Sequence, residues 1–119
     1  MATTFTREPI NDDSDRIEWL LGAGETGDAC EGLSDLDDRS VQFSGTFSGA
    51  TIAMKGSNTK ADLFEPLMDT GYVLIAGIND GSRKLRQIVE YTHRIRPEVS
   101  GGDGSTAILI SLVAKRKRN

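Results

Sequence analysis

Apolar and polar residues alternate with a period of two in several short stretches of this chain, and only one stretch fits a helical repeat comparably well. In Arg39-Ser40-Val41-Gln42-Phe43-Ser44-Gly45-Thr46-Phe47, the residues Val41, Phe43 and Phe47 share one face while Ser40, Gln42, Ser44 and Thr46 share the other. Successive strand side chains point to opposite faces, so this pattern predicts a strand buried on one side. Ser48-Gly49 follows as a turn, and Ala50 to Ser57 alternates again with Ala50, Ile52 and Met54 on one side, so the two runs predict an antiparallel hairpin. Gly45, inside the first run, predicts a bulge or the close approach of another backbone.

The rest of the chain carries further patterns of this kind. Residues 1–15 carry few apolar side chains amid Thr, Asn and Asp and predict a flexible arm. Arg16 to Leu21 predicts a short strand, and the Gly- and acid-rich stretch 22–38 a long irregular connection. Leu63 to Met68 resumes a strand that Pro66 pushes towards a sheet edge. Tyr72 to Ile78, nearly continuous and rich in β-branched residues, predicts a well-buried strand. Between Arg83 and Arg96, Leu85, Ile88, Val89, Thr92 and Ile95 would fit a helical face, but the β-branched residues and Tyr91 favour two short strands. Arg94 to Val99, the turn Gly101-Gly102-Asp103-Gly104 and Ser105 to Val113 predict a long hairpin. Seven or eight strands without a clear helix predict an all-β antiparallel sandwich, jelly-roll or immunoglobulin-like, with the N-terminal arm outside it.

Length and charge refine this. With 119 residues the chain is one domain's worth, so we place an arm at 1–15, a single β-sandwich domain at 16–115 that includes the acidic loop 22–38, and a basic tail at 116–119. Asn11 to Asp38 holds ten acids and one base, whereas Arg39 to the end holds twelve bases and seven acids. Such an acidic front and basic back attract each other or face partners of opposite sign. One Cys cannot form an internal disulfide, and no stretch has signal-peptide or membrane-spanning character, so a soluble product of a reducing cytoplasm, without membrane attachment, is expected.

The chain holds few residues in patterns that support catalysis. His93 lies among Arg and Thr with only Glu90 as a nearby carboxylate, and Cys30 sits in an acidic stretch whose negative charge would raise its pKa. Asp12, Asp13 and Asp15, or Asp35, Asp37 and Asp38, could gather oxygen ligands, but neither run has the Gly and distal Glu of a calcium loop. Gly22-Ala23-Gly24-Glu25-Thr26-Gly27 matches a phosphate-loop spacing without the following helix, and acids crowd it. The basic end Lys115-Arg116-Lys117-Arg118 lacks interleaved aromatics and is a weak signal for nucleic acid. No catalytic residue, cofactor or metal is therefore assigned, and the chain is expected not to be an enzyme.

Residues Arg39 to Lys115 resemble a group of small tailed-bacteriophage virion proteins. The likeness rests on Asp38 to Phe47, on Ala50 to Met54 leading to Gly56-Ser57-Asn58, and on Arg94-Ile95-Arg96-Pro97 followed by Ser100 to Thr106; Gly24 to Asp28 adds an upstream glycine–acid element. The sequence departs after Asn58, where Thr59 to Leu63 lacks the Asp-Gly turn and Phe64 stands in place of the usual Trp. The resemblance implies a β-sandwich structural protein of the phage head, a cement or decoration protein on the capsid surface, assembled in the host cytoplasm. Its expected partner is the major capsid protein, bound by a homo-oligomer with a trimer favoured. Phe5, Ile10, Asp12, Asp13, Asp15, Asp35, Asp37, Asp38, Lys115, Arg116, Lys117 and Arg118 are the expected partner-binding residues. The alternatives are a virion module that binds host carbohydrate through the loop carrying Asn58, and a tail or head-completion protein.

Overall fold

A computed structural model describes residues 2–31, 36, 38–60, 63–69, 73–79, 85–89 and 92–116. Among these, ten strands form two sheets. They are β1 (Ala2–Thr3), β2 (Phe5–Asn11), β3 (Ser14–Leu21), β4 (Thr26–Gly27), β5 (Asp38–Thr46), β6 (Thr51–Ser57), β7 (Glu65–Pro66), β8 (Arg86–Ile88), β9 (Arg94–Ser100) and β10 (Ala107–Lys115). One sheet has the order β1-β4-β9-β6-β7 and the other β2-β3-β10-β5-β8. Every pair is antiparallel except β1 with β4. The chain is an all-β sandwich, as the alternation predicts.

The core follows from the same alternation. Ile108, Ile110, Leu112 and Ala114 of the central strand β10 point inward beside Ile17, Trp19 and Leu21 of β3 and Val41 and Phe43 of β5. Ile52, Met54, Ile95 and Val99 face them from the other sheet. Burial of this apolar surface drives the two layers together.

Neither predicted hairpin forms. β5 and β6 lie in different sheets, as do β9 and β10, so each connecting turn is an arch over one end of the sandwich. Strand β5 pairs with β10 and β6 with β9, which stacks the two arches. Thr106 joins them: its hydroxyl donates to the Phe47 carbonyl at 3.1 Å and accepts from the Asp103 N–H at 3.0 Å. Gly45 marks a close approach, since its φ of 104° is outside the range of ordinary L residues and a side chain there would strike the Ala107 carbonyl.

The N-terminal segment also departs from expectation. Phe5 to Asn11 is an edge strand paired with β3, with a register shift between Pro9 and Asn11. Its mostly polar composition reads as an arm because an edge strand exposes most of its surface; Pro9 fits there since edge strands tolerate a missing N–H. Of the run predicted over Tyr72 to Ile78, the described residues Val73 to Ile78 do not form a continuous buried strand. Ile75 is fully buried, but Val73 and Leu74 are half exposed, and the described part meets β6 only at isolated points, through the Met54 N–H to the Ile75 carbonyl and a reciprocal pair of backbone bonds between Ile52 and Ile78. Leu63 to Met68 likewise contracts to the two residues of β7. The two short strands predicted between Arg83 and Arg96 correspond to β8 and the start of β9.

Candidate functional site

Opposite the arches, the second end of the sandwich collects five of the eight described residues expected to bind a partner, Asp12, Asp13, Asp38, Lys115 and Arg116. Asp12 and Asp13 form the tip of the β2–β3 turn, where Asn11 Oδ1 accepts the Asp13 N–H at 2.9 Å. Lys115 ends β10 between Ser14 and Asp38, its register partners on the flanking strands. The Arg116 N–H donates to the Asp13 carbonyl at 2.8 Å, and Asp38 accepts from Gln87 at 2.9 Å. The acidic front and the basic back thus meet within one subunit.

Other expected residues are placed differently. Asp15 pairs with Arg7 at 2.8 Å, which directs it away from the tip. Phe5 packs on Trp19 with ring centroids 5.5 Å apart, as a partial cover of the core, while Ile10 is 43% exposed on the edge strand. Asp35, Asp37, Lys117 and Arg118 lie outside the described residues.

A second feature of this end was not assembled from sequence. An open cleft of about 460 Å³ is lined by Glu31, Asn58, Thr59, Lys60, His93 and Arg94. Ser57 pairs with Arg94 across β6 and β9, and this register brings Asn58 beside His93. Asn58 Oδ1 accepts the His93 N–H at 3.0 Å, and Ser57 Oγ accepts the Thr59 N–H at 3.1 Å. Glu31 arrives because Cys30 bridges to Ile95 and Arg7 donates to the Glu31 carbonyl at 3.0 Å. His93 Nε2 then stands 3.6 Å from Glu31 Oε1. Asn58 and His93 were each visible in the sequence; the pairing that joins them was not.

The chemical motifs resolve into structure. Cys30 is buried and its pKa is raised, with burial the main cause, partly countered by Arg7 and Arg39. The expectation of a poorly activated thiol holds in direction, but its cause is desolvation ahead of the acidic neighbours Asp15 and Glu31. In the Gly22 to Gly27 stretch the Glu25 carboxylate takes the Gly22 N–H, so an acid caps the backbone donor that a phosphate would need. Among the described residues, no group of three or more His, Cys, Asp or Glu could hold a metal ion, and no helix is long and apolar enough to cross a membrane.

These features define an all-β two-sheet sandwich with a charged end and a shallow polar cleft. The fold is shared: the chain is similar to the crystal structure of the SPBc2 prophage-derived protein YomS, with a TM-score of 0.63 at 10% sequence identity. The match covers 90% of this chain and 98% of that one. No protein-family model and no curated protein matches the sequence.

Proposed function

We propose that the chain is a bacteriophage structural protein, a non-enzymatic cement or decoration protein that binds the major capsid protein and stabilises the shell. The observation that carries this reading is the likeness in fold to a prophage-derived protein over nearly the whole of both chains. It is supported by the resemblance of Arg39 to Lys115 to small tailed-phage virion proteins. A homo-oligomer, with a trimer favoured, would spread modest contacts over several capsid subunits so that weak interfaces add. The charged end with Asp12, Asp13, Asp38, Lys115 and Arg116 is the surface we assign to the shell. Its mixed charge favours steering and register over raw affinity.

Because β2 belongs to the sheet, deleting the N-terminal residues would test folding as much as binding. Copy number per particle is the cleaner test. A protein that coats symmetric shell positions is present in roughly hundreds of copies, whereas a connector or tail component is present in about six or twelve. Hundreds of copies, with weaker shell binding by a variant carrying Asp12→Lys and Lys115→Glu, supports the cement reading. A count near six or twelve moves the protein to the head–tail junction and overturns it.

A further inference from the structure

The two sheets turn unlike faces outward. On the β6–β9 face, Lys55 and Arg96 flank Glu98 at 2.9 and 3.0 Å, a paired set of charges of the kind that faces water. On the other sheet, Ser40, Gln42 and Ser44 of β5 and Leu109, Ser111 and Val113 of β10 alternate with buried residues and so point outward, and none of them is charged. Leu109 lies in register beside Leu20, which is 61% exposed. The charges of this face are bonded within it: Glu18 accepts from the Ser111 hydroxyl at 2.7 Å, and Arg16 pairs with Glu8 at 2.9 Å. Depletion of charge at the centre of a surface marks a protein interface. We infer that the outer face of the β2-β3-β10-β5-β8 sheet packs against the same face of a second copy, around a two-fold axis that runs along β10.

The face is complementary to itself under that rotation, which lays β3 over β5 and β2 over β8 of the second copy. Leu109 meets its own counterpart, so two Leu20–Leu109 pairs join in one apolar row, and Glu18 meets the neutral amide of Gln42. Leu85, 68% exposed, directly precedes Arg86, the register partner of Val41, and is therefore level with Gln42, Ser111, Glu18 and Thr6. It arrives over an open hollow of about 280 Å³ whose lining includes Thr4, Thr6, Glu18 and Leu20. An axis across the middle of the strands would instead set Glu18 on Glu18. Five strands about 4.8 Å apart and about seven residues long present roughly 500 Å² per copy. Two copies then bury on the order of 1,000 Å², the lower end for a specific interface. Because the axis runs along the strands, the charged ends carrying Asp12, Asp38 and Lys115 lie at the same end of the pair, where two weak contacts with one surface add.

The pairing stands whether or not the protein binds a shell. A face that meets its own copy closes at two, unlike the trimer that the resemblance favours, so the mass in solution separates them. Sedimentation equilibrium of the purified full chain should give about twice the chain mass of 12.9 kDa, in high salt as in low, because apolar contacts are not screened. Leu85→Asp should weaken association at least about tenfold, with Trp19 fluorescence and the urea midpoint of the single copy unchanged. Adding Thr6→Lys to Leu85→Asp should restore association at low salt, since the two positions lie four strand spacings, about 19 Å, apart within one copy and meet only between copies. Thr51→Lys, on the β6–β9 face, should change nothing. A single-copy or three-copy mass, dissociation of the wild type by salt, or no rescue by Thr6→Lys overturns the pairing. A single-copy mass together with weaker shell binding by Leu85→Asp overturns it equally, and gives the face to the capsid protein.

Discussion

Gly27 and Trp19 are packed so closely that a methyl group on Gly27 would fall 2.5 Å from Cδ1 of the indole. Pro97 closes the same space at 2.9 Å, and Trp19 Nε1 donates to the Asp28 carbonyl at 3.0 Å. The indole is fully buried and its polar atom satisfied, so β4 and β3 are locked across the two sheets. Gly27→Ala should cost about 1–3 kcal/mol by overpacking. Trp19→Ala should cost about 3–5 kcal/mol through the cavity it leaves. The single Trp makes its own fluorescence the probe in urea titrations of the glycine variant. An unchanged midpoint in Gly27→Ala would show that β4 can shift freely.

Arg39 is the second internal tie. It is 1% exposed, donating from Nε to the Leu36 carbonyl and from Nη1 to the Thr92 carbonyl, both at 2.9 Å. A guanidinium can serve both sites because its donors diverge in a rigid plane, which a lysine ammonium does not reproduce. Arg39→Met keeps much of the apolar stem but leaves those carbonyls without that donor, at about 1–3 kcal/mol each. We expect a large drop in urea midpoint for Arg39→Met and little recovery in Arg39→Lys. Full recovery by lysine would show that charge, and not the forked geometry, is what the site requires.

The alternation in the sequence was a sound guide to faces and a poor guide to neighbours. Ile108, Ile110 and Leu112 are buried as their spacing requires, because period two decides which side of a sheet a residue occupies. Ala50 to Ser57 alternates identically whether it pairs with the run before it or with Arg94 to Ser100, so proximity in the chain suggested a hairpin where the structure has an arch. That misassignment also hid the cleft. Asn58 and His93 are 35 residues apart and meet only through the β6–β9 register. The buried Arg39 was legible as an inward position by parity with Val41 and Phe43, but its charge argued against burial. The Thr92 carbonyl that Arg39 also holds lies far along the chain and leaves no local signature.

Burial of Cys30 gives a kinetic prediction. Desolvation holds the thiol in its neutral form, against the opposing pull of Arg7 and Arg39, and the thiolate is the reactive species. In native protein near pH 8, modification by a thiol-specific disulfide reagent should be at least about a hundredfold slower than in urea-unfolded chain. Added salt distinguishes the causes. If burial dominates, native reactivity stays low in high salt; if acidic neighbours dominate, screening should accelerate it.

The outer face of the β9–β6 pair supplies the pH dependence. Burial alone would raise the Glu98 pKa, but Lys55 at 2.9 Å and Arg96 at 3.0 Å outweigh it and hold the carboxyl below its ordinary value of 4.5. A carboxylate whose pKa is lower folded than unfolded contributes stability in full above the unfolded value, and that contribution is lost as pH falls through the folded one. The stability gap between wild type and Glu98→Gln should therefore be widest at neutral pH and shrink below pH 4.5. Urea unfolding of both proteins from pH 7 to pH 3 measures it. High salt should narrow the gap at neutral pH only in part, because the three side chains are each about a quarter exposed or less. A gap that stays constant down to pH 3 would mean that Glu98 acts through its shape and hydrogen bonds, which glutamine retains in part, and not through its charge.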